Sequence, residues 1–229
     1  PSGELIAFKS GRSGAEQLWV TNGGNRVQQL SHFPMDNYIF GLDWAADGQS
    51  VLVNSNGELA QVFLDSTQNF IPFPHPIRQL FQWDSKNETA LLKANIKGIL
   101  KFVEFDLNSS KFRIVTDKLV KWALKSEDGR LIYTDHLNRF WQPGPAEDQL
   151  ITALENQGSK KQFLIKDNVI YGINEQFKFW SYDLNKQTFQ IIGNAPQNTD
   201  DLTDINQSDI LISVRISAKK ELAELILRD

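Results

Sequence analysis

Six times along this chain the same succession returns: short apolar runs, rich in β-branched and aromatic residues, separated by turn residues. The period is roughly 38 residues, a length that belongs to stacked repeat units rather than to one irregular core. The second unit shows the full form, with apolar runs at 39–44, 50–54, 59–64 and 70–73 and the turn Asp47-Gly48 between the first two. Runs of that length with alternating or continuous apolar character predict strands, and no window keeps a helical period beyond about two turns. A unit of four short strands cannot bury both of its faces alone, so it must stack on its neighbours.

The units lie at 1–33, 39–76, 77–117, 120–159, 161–196 and 201–229, and together they make 1–229 a single domain. Their turns agree as well as their strands. Asp47-Gly48, Lys86-Asn87, Asp128-Gly129, Asp167-Asn168 and Ser208-Asp209 separate first from second strands, while Asp65, Asp106 and Asp183 follow third strands. Aspartate and asparagine start such turns because their side chains bond the backbone two residues on. The expected fold is all-β: a six-bladed β-propeller with four-stranded antiparallel blades. The first unit lacks its first strand and the last unit its fourth, so both end blades are expected to be incomplete. A longer polypeptide would supply what is missing.

Composition narrows the function. A hydrophobic share of 41% with 23% charged residues is that of an ordinary globular protein, and the net charge of −4 comes with no basic cluster. Nucleic acid is therefore not an expected partner of this segment. The chain has no cysteine, which removes disulfides and thiolate metal sites. His32, His75 and His136 fall in three different units without metal-ligand spacing. The acidic pairs Glu127-Asp128, Glu147-Asp148 and Asp200-Asp201 sit at turns, and Asp200 to Asp204 lacks the spacing of a calcium loop. No metal and no cofactor are expected. Neither a Gly-x-Ser-x-Gly elbow nor a phosphate-cradling glycine loop occurs.

Aromatic residues are the remaining candidates for a binding surface. Trp44 and Trp83 share a register at the ends of first strands, and Trp19, Trp141 and Trp180 fall on third strands, positions that fill space between sheets. Trp122 stands three residues before the shared first-strand position and so points to the other face, toward a channel or rim. The run 70–76, Phe-Ile-Pro-Phe-Pro-His-Pro, reads as a proline-stiffened outer strand and crossover. It could also present an apolar patch through Phe73 and His75.

The first unit carries a family resemblance. Ser2-Gly3, the run Ile6, Ala7, Phe8, then Ser10, Arg12-Ser13-Gly14, the run Leu18, Trp19, Val20, then Gly24 and Leu30-Ser31 resemble the repeat of TolB-like (WD-type) propellers. Later units keep the strand spacing and lose the Arg-Ser-Gly and Gly-Gly turns. The C-terminal run 213–225 is also similar to the ends of degenerate propellers in the periplasmic sensor half of CadC/ToxR-type membrane-anchored winged-helix transcriptional regulators. The resemblance implies a non-catalytic binding or sensor module, periplasmic as part of an inner-membrane protein, with a protein partner or a small envelope ligand; a chain without cysteine suits the cytoplasm equally. It also leaves two alternatives: the accessory propeller of a prolyl-oligopeptidase-type serine peptidase, and a TolB-like envelope scaffold.

Overall fold

The computed structural model describes residues 4–23, 26–205 and 210–214. They fall into two compact units, residues 1–124 with 145–148 and residues 125–144 with 149–229. The strands in chain order are β1 (Ile6–Ser10), β2 (Gln17–Thr21), β3 (Val27–Gln29), β4 (Ile39–Trp44), β5 (Ser50–Ser55), β6 (Glu58–Phe63), β7 (Gln68–Ile71), β8 (Ile77–Asp84), β9 (Thr89–Ile96), β10 (Ile99–Asp106) and β11 (Lys111–Thr116). There follow β12 (Val120–Lys125), β13 (Leu131–Asp135), β14 (Phe140–Gln142), β15 (Gln149–Leu150), β16 (Leu164–Lys166), β17 (Val169–Ile173), β18 (Lys178–Asp183), β19 (Thr188–Asn194), β20 (Thr199–Ile205) and β21 (Ile210–Val214).

Strands adjacent in the chain are adjacent in a sheet, giving four sheets of four strands, one of three (β1 to β3) and the pair β20–β21. This is an all-β propeller fold with antiparallel four-stranded blades. The repeat count predicts six blades. The described residues instead build four complete blades, a three-stranded fifth and one hairpin, so the number formed is five. The expected third strand of the last unit (222–227), the turn Ser208-Asp209 and most of the run 213–225 lie outside the described residues.

Burial follows strand position within a blade. β5 and β13 are buried at every residue, whereas β7 and β15 have no buried position. The reason is visible in β5, where alternate side chains serve two different cores. Val51 and Val53 pack with Leu18, Val20, Leu30 and Phe33 of the first blade. Leu52 faces the other way, into a cluster with Leu80, Trp83, Leu92, Val103 and Phe105 of the third. β6 repeats the division: Ala60 and Val62 join the first cluster, Leu59 the second. Each such fully buried aliphatic side chain contributes about 1.5–3 kcal/mol, and a strand used on both faces explains the continuous apolar runs in the sequence.

Polar ties also link successive blades. Glu16 Oε2 accepts the Ile39 N–H at 2.7 Å, and Ser85 Oγ accepts the Ala46 N–H at 2.8 Å. Gly41 has φ +128°, and a Cβ there would stand 2.3 Å from the Leu80 carbonyl oxygen. No side chain fits where β4 passes so close to β8.

In the second unit Ile173, Ala195 and Leu202 form a small core between β17 and β20. The sequence predicts a strand at 150–153, but only Gln149–Leu150 pairs, with β14. The chain then closes a single 3-10 turn, Thr152–Leu154, which puts Leu154 at 1% exposure. Burying that leucine outweighs extending a short outer strand that lies exposed on the blade's edge.

Candidate functional site

The three aromatic residues singled out in the sequence do not gather in one place. Phe73 and His75 do meet: His75 stands edge-on to Phe112 at 5.5 Å, and Phe73 packs on Phe112 at 5.3 Å and on buried Phe105 at 4.9 Å. Phe73 is thus half-buried and anchors the crossover to the core, while the exposed ring of the run is Phe70. A shallow depression of about 360 Å³ lies there, lined by residues 57–59 and 70–73. Trp122 packs elsewhere, edge-on at 5.6 Å to buried Phe81, which in turn stands edge-on to Phe102. Lys93 Nζ lies 5.4 Å from the Phe81 ring centre. Burial, and then the nearby charge of Lys121, hold the Lys93 ammonium below its ordinary pKa.

The third-strand tryptophans divide. Trp180 is 1% exposed and fills space among Phe140 and Phe189, as expected. Trp19 and Trp141 are half-buried instead, each capped by an arginine: Arg12 at 4.9 Å from Trp19 and Arg139 at 5.2 Å from Trp141. The run Asp200 to Asp204 lies in β20, so the pair Asp200-Asp201 stands on a strand and not at the expected turn, and among the described residues no group of three or more acidic or histidine side chains could hold a metal ion.

A better-formed site lies within the second unit. A cavity of about 450 Å³ opens where the β13–β14 turn, the 3-10 turn with its following crossover, and the β17–β18 turn converge. Its floor is the buried pair Phe140 and Leu154; Leu137, Leu150 and Ile151 add apolar lining, and Asn138, Arg139, Glu155, Asn156, Glu175 and Gln176 the polar lining.

Each of these elements is held by a specific polar contact. Asp135, buried at the end of β13, accepts hydrogen bonds from the Leu137 N–H (2.9 Å), the Arg139 N–H (3.0 Å), Arg139 Nε (2.8 Å) and Trp141 Nε1 (3.0 Å). Burial pushes its pKa up, but those donors outweigh it and hold the carboxyl below its ordinary value. One repeat on, Asn174 Oδ1 accepts the Gln176 and Lys178 N–H groups, and its Nδ2 donates to Gln157 Oε1 at 3.1 Å. Trp180 Nε1 donates to the Gln157 carbonyl at 3.0 Å. Gly158 then lies directly on the β13–β14 turn, where a Cβ would fall 1.8 Å from the Asn138 carbonyl oxygen. Beneath the floor, Phe140 packs against Phe163 at 5.1 Å and Trp180 at 5.4 Å.

None of these residues stands out in the sequence as a site, yet a signal was there. Asn54, Asn95, Asp135 and Asn174 recur at the end of the second strand in four successive blades. Only the third is an aspartate, and it is the one that draws in an arginine and a tryptophan. The lining contains no hydroxyl, thiol or imidazole side chain. Such a surface can bind an apolar group and select its charge.

Several solved structures share the fold. A chain of the nidogen/laminin complex matches with TM-score 0.61 at 10% identity, over 85% of this chain and 77% of that one. TolB from Acinetobacter baumannii matches with TM-score 0.60 at 13% identity, over 83% and 53%. Oligogalacturonate lyase in complex with manganese matches with TM-score 0.52 at 10% identity, over 84% and 74%. The chain therefore has a TolB-like β-propeller fold, and it spans about half to three quarters of the length of these structures. No protein-family model and no curated protein matches the sequence. One of the three neighbours is named as a lyase, so the fold does not choose between catalysis and recognition. No helix among the described residues is long and apolar enough to cross a membrane.

Proposed function

We propose that this chain is a non-catalytic recognition module that binds a protein partner or a small ligand in the cavity above Phe140 and Leu154. The observation that carries the reading is the cavity's construction. An apolar floor is braced from below by Phe163 and Trp180, while three polar anchors (Asp135, Asn174 and Gln157) fix the turns around it. Loops held this way on a rigid scaffold favour binding, because little conformational freedom is lost when a ligand arrives.

A screen of peptides and metabolites by thermal shift tests this on two proteins, the wild type and Ile151→Trp, whose larger ring fills the cavity. Ligands that stabilise the first and not the second support the reading. A screen whose every hit ignores the filling, or which yields no hit, overturns it.

A narrower role, the periplasmic sensor half of a membrane-anchored transcriptional regulator, is proposed from the sequence resemblance of the run 213–225. The reading frame around this segment tests it. A winged helix and one membrane span upstream support the sensor role, and a hydrolase domain downstream replaces it with the peptidase reading.

A further inference from the structure

We propose that the cavity receives a lysine or arginine side chain of a partner polypeptide, flanked there by apolar residues. This rests on the recognition reading above and adds the chemistry of the partner.

Charge is the first ground. Three ionised side chains line the cavity. That of Arg139 is matched, since its guanidinium holds the buried Asp135 carboxylate through Nε at 2.8 Å and a second nitrogen at 2.7 Å. Glu155 and Glu175 are different: among the described residues neither carboxylate has a hydrogen bond or an ion pair. The lining thus presents two uncompensated negative charges, and a partner that brings a cation completes them.

Shape is the second. Leu137, Leu150 and Ile151 give the lining an aliphatic wall. Lysine and arginine carry such a stem under a charged head, so the stem can lie on the wall while the head stays at the carboxylates. An acidic or purely apolar group satisfies only one of the two features.

The lip decides for a polypeptide. Leu137 is 58% exposed and Leu150 39%, beside the opening. A free amine confined to the cavity covers only the faces of these side chains that line it and leaves the rest in water. A chain whose neighbouring residues are apolar covers them, and burying that rim adds the area a specific contact needs.

The test uses the whole chain, labelled with nitrogen-15, and three synthetic Gly/Ser peptides that differ at their centre: Leu-Lys-Leu, Leu-Gln-Leu and Leu-Glu-Leu. The lysine peptide is expected to shift the amides of Asn138, Glu155 and Gln176 and to bind roughly five- to ten-fold more tightly than the glutamine peptide. The preference should shrink with added salt. In the double variant Glu155→Gln, Glu175→Gln it should disappear while glutamine-peptide binding stays. Equal binding of the lysine and glutamine peptides to the wild type overturns the charge assignment and leaves the cavity a binding site. If the lysine peptide fails while other ligands remain sensitive to Ile151→Trp, the proposal falls and the recognition reading survives. If nothing binds in the cavity, both fall.

Discussion

The Asp43 carboxylate accepts the backbone N–H of Trp83 at 2.8 Å, 40 residues further along the chain and one repeat away. Its other oxygen accepts the N–H of its own neighbour Trp44 at 2.9 Å. One side chain thus ties the first strand of the second blade to the first strand of the third. The period seen in the sequence appears here as a hydrogen bond.

Asp43→Asn keeps the shape but leaves a single acceptor oxygen for two backbone donors. A hydrogen bond to a charged group contributes about 1.5–3 kcal/mol. The variant should lower the free energy of unfolding in urea by about that much. Hydrogen exchange at the Trp83 amide should lose protection in the same variant, whereas the amides of β13 should not.

Asp128 gives a pH signature. The Arg130 guanidinium, with Nε at 3.0 Å, and then the Ser126 hydroxyl hold its pKa down to about 2 from 3.8. A folded value below the unfolded one stabilises the ionised native state. That contribution is complete above about pH 4, is lost between pH 4 and 2, and is absent below. The difference in Tm between wild type and Asp128→Asn should therefore be largest at neutral pH and vanish by about pH 2. A difference independent of pH would show that the carboxylate's charge plays no part.

Phe70 and Phe73 lie three residues apart and should respond oppositely to truncation. Phe70 is 58% exposed, and Phe70→Ser should change stability by less than about 0.5 kcal/mol. Phe73 rests on Phe105 and Phe112, and Phe73→Ala should cost about 2 kcal/mol or more. Chemical denaturation of the two variants checks both values.

Gly158→Ala probes the crossover at the cavity. The added methyl meets the Asn138 carbonyl at 1.8 Å, and backbone cannot rotate away as a side chain can. A loss of about 1–3 kcal/mol is expected, together with changed amide shifts at Asn138, Asn156 and Gln176, which border the cavity. Normal stability with unchanged shifts would mean that the two segments are not in contact.

Much of the blade plan is legible in the residues themselves. β4 and β5 fall close to the expected runs 39–44 and 50–54, and Asp65, Asp106 and Asp183 accept the backbone N–H groups of Thr67, Ser109 and Asn185 as their turn positions imply. These features are local, because a turn is set by a side chain bonding backbone two or three residues away. Trp19 and Trp141 mark where local reading stops. Their spacing puts them on third strands, but their cover comes from Arg12 and Arg139, which a strand pattern does not rank above any surface arginine.

The cavity is illegible for the same reason on a larger scale. Leu137, Leu150, Ile151 and Glu175 belong to three separate stretches, and each alone reads as an ordinary loop or edge residue. The repeat was enough to establish strands, turns and stacked four-stranded blades, since alternation and turn chemistry act over a few residues and recur in every unit. How many blades form, which glutamates stay unpaired and where the turns close around a hollow depend on contacts between residues far apart in the chain. Those follow from packing and from which donors reach which acceptors once the blades have formed, as when Gly158 comes to rest on Asn138.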